Sequence, residues 1–186
     1  MEDQRVITGS TEQEVFAAIE ADLTSTEEEI LSYDALINHG SRQIELYIDI
    51  DLGGGFEGGS ETTQLSAPLS ITPEFKFAVH DEDFLDSIGS FFGLDSVKTG
   101  YPDLDEHVII KTNHEPKVRE LFADPEVRQV LSTLEDFDLG IHHRALEETG
   151  YEQPFLELNI NQGLIDPAEL RLVYHAFYTI LTQLES

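Results

Sequence analysis

The chain contains no cysteine. That absence removes disulfides, a thiolate nucleophile, Cys-ligated zinc and iron–sulfur clusters together, and it fits a reducing compartment. Tryptophan is also absent, and methionine occurs once. No apolar run approaches the roughly 20 residues that a membrane-spanning helix needs. Met1-Glu2-Asp3-Gln4-Arg5 is not a basic region followed by an apolar core, so no signal peptide is expected and the expected location is cytoplasmic. Positive charge is scarcest of all: 10 Lys and Arg stand against 38 Asp and Glu, a formal net charge of −28. Such a surface repels nucleic-acid phosphates and anionic lipid headgroups, which sets both aside as expected partners. It suits solubility, a salty interior, or a basic partner.

A hydrophobic content of 40% with only 7 prolines is enough to build a core despite the charge. At 186 residues the chain suits one domain, residues 1–186. Thr11 to Glu14 forms a capping-box pattern, and Phe16, Ile19 and Leu23 follow at helical spacing. Ile30 and Ile37 extend that stripe, with Thr26 and Tyr33 between them. The spacing predicts a helical segment over 11–38, either continuous or broken at Thr24-Ser25-Thr26, where Thr26 and Glu29 offer a second capping box. Gly40 supplies the stop.

Residues 42–186 read as sheet and helices. Arg42 to Asp51 alternates, with Ile44, Leu46, Ile48 and Ile50 on one face and Glu45, Tyr47, Asp49 and Asp51 on the other. Further strands are predicted at Thr62 to Ile71, Phe75 to Val79, Val108 to Thr112, Phe137 to His143 and Leu156 to Ile160. A short helix is predicted from Phe84 to Phe92, capped by Asp81 or Asp83. Glu115-Pro116 and Asp124-Pro125 start a bent helical pair, and Asp166-Pro167-Ala168-Glu169 starts the closing helix, with Leu170, Val173, Phe177, Ile180, Leu181 and Leu184 on its inward face. The expected fold class is α+β, a largely antiparallel sheet of about six strands with helices packed on one face.

Motifs that carry chemistry fail on spacing. Gly53 to Gly59 holds five glycines in seven residues, but no Gly-Lys-Ser/Thr or helix follows, so it reads as a hairpin connection with Phe56 at its tip. Asp103, Asp105 and Glu106 are the best acidic cluster for a divalent cation. As an EF-hand loop from Asp103, however, the glycine position holds Val108 and the glutamate position His114. Asp105 bonded to backbone amides in an ordered turn is the simpler reading. His39, His80, His107, His114, His142, His143 and His175 show no ligand spacing, and adjacent His142 and His143 point to opposite faces of their strand. His175 is expected at the surface or an interface. There is no G-x-S-x-G elbow and no dinucleotide fingerprint. No catalytic, cofactor or metal residue is assigned, and no cofactor is expected.

Thr62-Thr63, Gly93, Thr99-Gly100, Leu104-Asp105, the strand Val108 to Lys111 and the helices through Leu134 resemble an uncharacterised bacterial family of unknown function. The resemblance covers about residues 62–184. It departs from the family pattern at Gly100-Tyr101-Pro102, where Gly-Asp-Pro is expected, and at Leu104, where an aromatic is expected. It implies a fold and no activity. The expected element order is also similar to that of small acidic secretion chaperones, an analogy of fold alone.

The sequence reading is therefore a non-enzymatic cytoplasmic binding or assembly protein, chaperone-like in charge, whose partner is a basic protein or a second copy of itself. The alternatives are a divalent-cation-dependent enzyme using Asp103, Asp105 and Glu106, and a structural domain of a larger assembly.

Overall fold

The computed structural model describes residues 4–25, 30–54, 58–70, 74–81, 93–145 and 152–186. Among them the chain is α+β, with five helices and one nine-stranded mixed sheet. The elements run β1 (Arg5–Gly9), α1 (Glu12–Thr24), β2 (Ser32–His39), β3 (Arg42–Asp51), β4 (Ser60–Pro68), β5 (Phe77–His80), β6 (Asp95–Val97), α2 (Pro102–Asp105), β7 (Ile109–Thr112), α3 (Glu115–Leu121), α4 (Pro125–Thr133), β8 (Phe137–Ala145), β9 (Glu152–Ile160) and α5 (Pro167–Leu184). Their order across the sheet is β1-β2-β3-β4-β9-β8-β5-β7-β6. Only the β1–β2 pair is parallel, and α1 is the crossover that a parallel pair requires.

Residues 11–38 differ from the helical segment expected of them. The helix ends at Thr24, and Ser32–His39 is a strand between β1 and β3. Tyr33 and Ile37 fit a helical stripe and an alternating strand equally well, and pairing on both sides decides for the strand. Tyr33, Ala35, Ile37 and His39 are buried while the residues between them are half-buried. The Thr26 to Glu29 cap lies outside the described residues. Gly40 does end an element with a positive φ of 62°, but the element is a strand and the turn is the β2–β3 hairpin.

The sheet itself also differs, with nine strands where about six were expected. β1 and β6 were missed because five and three residues are too short to show a period. The chain therefore opens strand–helix–strand, not helix then three strands. Observed β4 ends at Pro68; Ile71, Phe56, Asp83 and the helix expected at Phe84 to Phe92 lie outside the described residues.

Within the described residues the expected helix starts at Thr11, Glu115, Asp124 and Asp166 form. Thr11 Oγ1 accepts from Glu14 N at 3.2 Å while Glu14 Oε2 accepts from Thr11 N, completing the capping box. Asp124 Oδ1 accepts from Glu126 N at 2.8 Å, and Asp166 Oδ1 accepts from Ala168 N and Glu169 N at 3.0 and 2.9 Å. α3 is capped by His114, whose Nδ1 accepts from Lys117 N at 3.2 Å.

One apolar core joins the helices to the inward face of the sheet. Ile37, Ile44, Leu46, Ile48, Leu65, Leu158 and Leu139 supply the sheet side, and α5 adds Leu170, Val173, Tyr174, Phe177, Ile180 and Leu181, all buried. α1, α3, α4 and β4 all touch α5. Thr63 fastens the loop before α5: its Oγ1 donates to Gln162 O at 2.7 Å and accepts from Leu164 N at 2.9 Å. No helix among the described residues is long and apolar enough to cross a membrane.

The α5 side chains contribute on the order of 10 kcal/mol of gross apolar burial, a large share of what stabilises a domain this size. A fragment ending at residue 165 is therefore expected to lack a cooperative urea transition. A sharp transition from that fragment would show that the sheet holds together without α5.

Candidate functional site

The face of the sheet turned away from the helices carries the polar half of each alternating strand. Strand register places Val6, Leu36, Glu45, Ser66, Glu157, Gly140 and Ala78 in one row across it. Asp34, Tyr47, Gln64, Asn159, Asp138 and His80 form the adjacent row. The two ends of these rows differ. Over β1 and β3 the face is open: Val6 is 66% and Tyr47 39% exposed, Glu45 and Asp51 are exposed, and Asp49 is half-buried. Toward β8 and β5 it closes, and Ser66, Glu157, Asp138 and His80 are buried.

Polar contacts link neighbouring strands on this face. Gln64 Nε2 donates to Asn159 Oδ1 at 2.6 Å, Ser66 Oγ donates to Glu45 Oε2 at 3.0 Å, and Gln4 Nε2 donates to Asp34 Oδ1 at 3.0 Å. Arg144 donates through Nε to Glu157 Oε1, lies 3.5 Å from Glu45 through Nη1, and stacks 4.6 Å from the centroid of Phe155. Where the face closes, Asp138 Oδ2 lies 3.1 Å from His142 Nε2, a reach across side-chain-free Gly140. Asp138 Oδ1 is buried and accepts no hydrogen bond among the described residues. A buried acceptor left unsatisfied costs about 1–3 kcal/mol. The alternation of β8 places Asp138 on the polar face but carries no signal of its burial, so the sequence reading missed it.

In the candidate cation cluster, Asp105 and Asp103 have separate partners. Asp105 folds into its own turn: Oδ1 accepts from Thr99 N and Thr99 Oγ1, and Oδ2 from Gly100 N, each at 2.8 Å. Asp103 pairs with Arg128 Nε at 2.8 Å, and Glu106 is exposed. Burial pushes the Asp105 carboxyl upward, but the bonds from Thr99 and Gly100, with the charge of Lys98, outweigh it and hold the group below its ordinary value. Gly100 carries the positive φ of 84° that this turn needs. Tyr101, the departure from the family-like pattern, lies under the Arg128 guanidinium at 4.2 Å and near Arg119 at 5.9 Å. No group of three or more His, Cys, Asp or Glu disposed to hold a metal occurs among the described residues.

The histidines take separate places. His107, His114 and His143 are exposed. His175 is half-buried, 2.7 Å from Glu12 Oε2 and 3.6 Å from Glu126 Oε2, tying α5 to α1 and α4. His80 Nδ1 lies 2.8 Å from Asp81 O, and Asp81 Oδ2 accepts from Asp136 N at 3.0 Å. His39 is buried, with Nδ1 3.0 Å from the Tyr174 hydroxyl and its ring stacked 3.9 Å from Tyr178. Burial lowers its proton affinity, Arg42 adds to that, and Glu12 opposes it. Burial also raises Tyr174 well beyond the ordinary phenol range, so Tyr174 stays a neutral donor.

A groove of about 820 Å³ opens at the end of α5 between Arg42, Pro68, Leu69, Lys117, Leu181 and Leu184. Glu185 holds Arg42 there at 2.8 Å and Lys117 lies 5.7 Å from the centroid of Phe75, so the groove carries charges of both signs.

No protein-family model matches the chain, and no curated protein is matched by it. The resemblance of the central turn thus rests on its own residues.

Two consequences can be measured. Asp105→Ala removes three hydrogen bonds to one carboxylate and is expected to lower unfolding free energy in urea by about 3 kcal/mol; a loss below about 1 kcal/mol would make the turn dispensable. His39 binds its proton less readily folded than unfolded. Its contribution is therefore complete above the ordinary value of 6.5 and is lost as pH falls from there through the lowered folded value. His39→Gln is expected to flatten the fall in urea midpoint between pH 8 and pH 5, whereas parallel profiles would assign that fall to other groups.

Proposed function

We propose that the protein is a non-enzymatic, cytoplasmic binding protein whose open sheet face meets a cationic segment of a partner protein. The observation that supports this is the composition of the open part of the polar face. Glu45, Asp49 and Asp51 on β3 and Asp34 on β2 surround Tyr47, with Val6 and half-buried Leu36 alongside. Acids dominate this part of the face: Arg5 and Arg42, the cations on β1 and β3, are held by Asp22 and Glu185, and Arg144, which reaches Glu45, is shared with Glu157. Acids around an exposed aromatic suit a segment that brings lysine or arginine together with apolar side chains. They disfavour an anionic partner, and the overall charge of −28 works in the same direction.

A capped peptide alternating lysine and valine is a suitable probe. Binding followed by fluorescence anisotropy is expected at 50 mM salt and is expected to weaken strongly at 300 mM, as screening shortens the reach of surface charge. Neutralising Glu45→Gln, Asp49→Asn and Asp51→Asn together should weaken it about tenfold, at roughly 0.5 kcal/mol for each exposed pair. No binding at low salt, or a triple variant that binds as the parent does, would remove the proposal.

A further inference from the structure

The two ends of the sheet are built differently. β6 ends one side with three residues, beginning at Asp95, too short to guide another strand. β1 ends the other with five, Arg5–Gly9, in unbroken register with β2 from Arg5↔Ala35 to Gly9↔His39. Its middle, Val6-Ile7-Thr8, has no charge and no proline, and Val6 is 66% exposed. Among the described residues no strand pairs with its outer edge. Proteins commonly blunt such an edge with a bulge, a proline or an inward charge, and β1 has none of these at its centre.

We propose that the outer edge of β1 accepts an extended basic segment of a partner protein as a tenth strand. This rests on the reading of the acidic face above and names how the partner engages it. Charge selects the occupant. α1 and β2, the elements beside β1, carry five acids among their described residues: Glu20, together with Glu12, Glu14, Asp22 and Asp34, which also bond Arg171 and His175, the start of α1, Arg5 and Gln4. The basic residue in β1 is Arg5, whose Nη1 is held 3.0 Å from Asp22 Oδ1 and whose guanidinium lies 5.3 Å from the Tyr33 centroid. A second copy of the chain would bring a charge of −28 against the same charge, and self-repulsion opposes that pairing. A basic strand gains both the main-chain ladder and the acidic surroundings.

Period two then sets the partner's pattern. One set of its side chains lies beside Val6 and Thr8 on the open face, one strand from Asp34. The other lies beside Ile7 on the helix side, where α1 carries Glu14, Ala18 and Asp22 at four-residue spacing. Alternating basic and uncharged residues satisfy both sides.

The test uses the full chain, isotope-labelled, with the alternating lysine–valine peptide and two versions of it. Each version is N-methylated on one of the two alternate sets of backbone nitrogens, leaving charge and composition otherwise intact. Pairing through one peptide edge predicts that one methylated version binds at least tenfold more weakly than the other, and that amide exchange slows in β1 on adding the parent peptide. If both methylated versions bind alike and protection appears over β2 and β3 alone, the edge is not used and the acidic-face reading stands. If no cationic peptide binds at low salt, both fail. If the chain without peptide sediments as a dimer with slow β1 amides, the occupant is a second copy, and the proposal of a basic partner strand is overturned.

Discussion

The two-residue period of the long central strands is the constraint on which the rest of the structure depends. Ile44, Leu46 and Ile48 on β3, with Leu65 on β4, Leu158 on β9 and Leu139 on β8, are forced onto one face because successive side chains point to opposite sides. That face needs a cover, and α5 provides it. The same geometry leaves Glu45, Tyr47, Asp49 and Asp51 on the reverse face without any separate instruction. The core and the candidate site are thus two sides of one pattern, and a one-residue slip of register would exchange them.

The reverse face is not uniform, and its gradient gives it meaning. At its closed end Asp138 is buried with one oxygen unsatisfied, an arrangement whose cost the core must offset. At its open end acids surround an exposed tyrosine and valine. Several acids elsewhere serve local tasks. Glu14, Asp124 and Asp166 cap helices, Asp105 closes its turn, and Glu12 and Asp103 hold cations. Glu45, Asp34 and Asp51 on the open face also bond neighbours, and what sets that face apart is that its acids adjoin exposed Tyr47 and Val6.

Much of the fold was legible in the residues. Helix starts are local, since a capping side chain bonds amides two or three residues away, so α1, α4 and α5 could be placed from Thr11, Asp124 and Asp166. Long alternating runs identified β3, β8 and β9 for the same reason. Residues 32–39 were not legible, because Tyr33 and Ile37 satisfy two periods at once and only hydrogen bonding to β1 and β3 separates them. β1 carries a single buried side chain, Ile7, too little for any periodic signal. In the candidate site, Glu45, Tyr47, Asp49 and Asp51 were legible as one face. The contribution of Val6, Asp34 and Leu36 was not, because their strands were not recognised.

The sequence by itself determined which residues face inward along β3, β8, β9 and α5, where the capped helices begin, and that the surface is overwhelmingly acidic. These follow from contacts within a few residues and from summed charge. Tertiary structure alone decided the order of the nine strands, the burial of Asp138 beside His142, and the exposure of β1 as an edge. Each of these depends on which distant segments lie side by side, and a strand's own period says nothing about its neighbour.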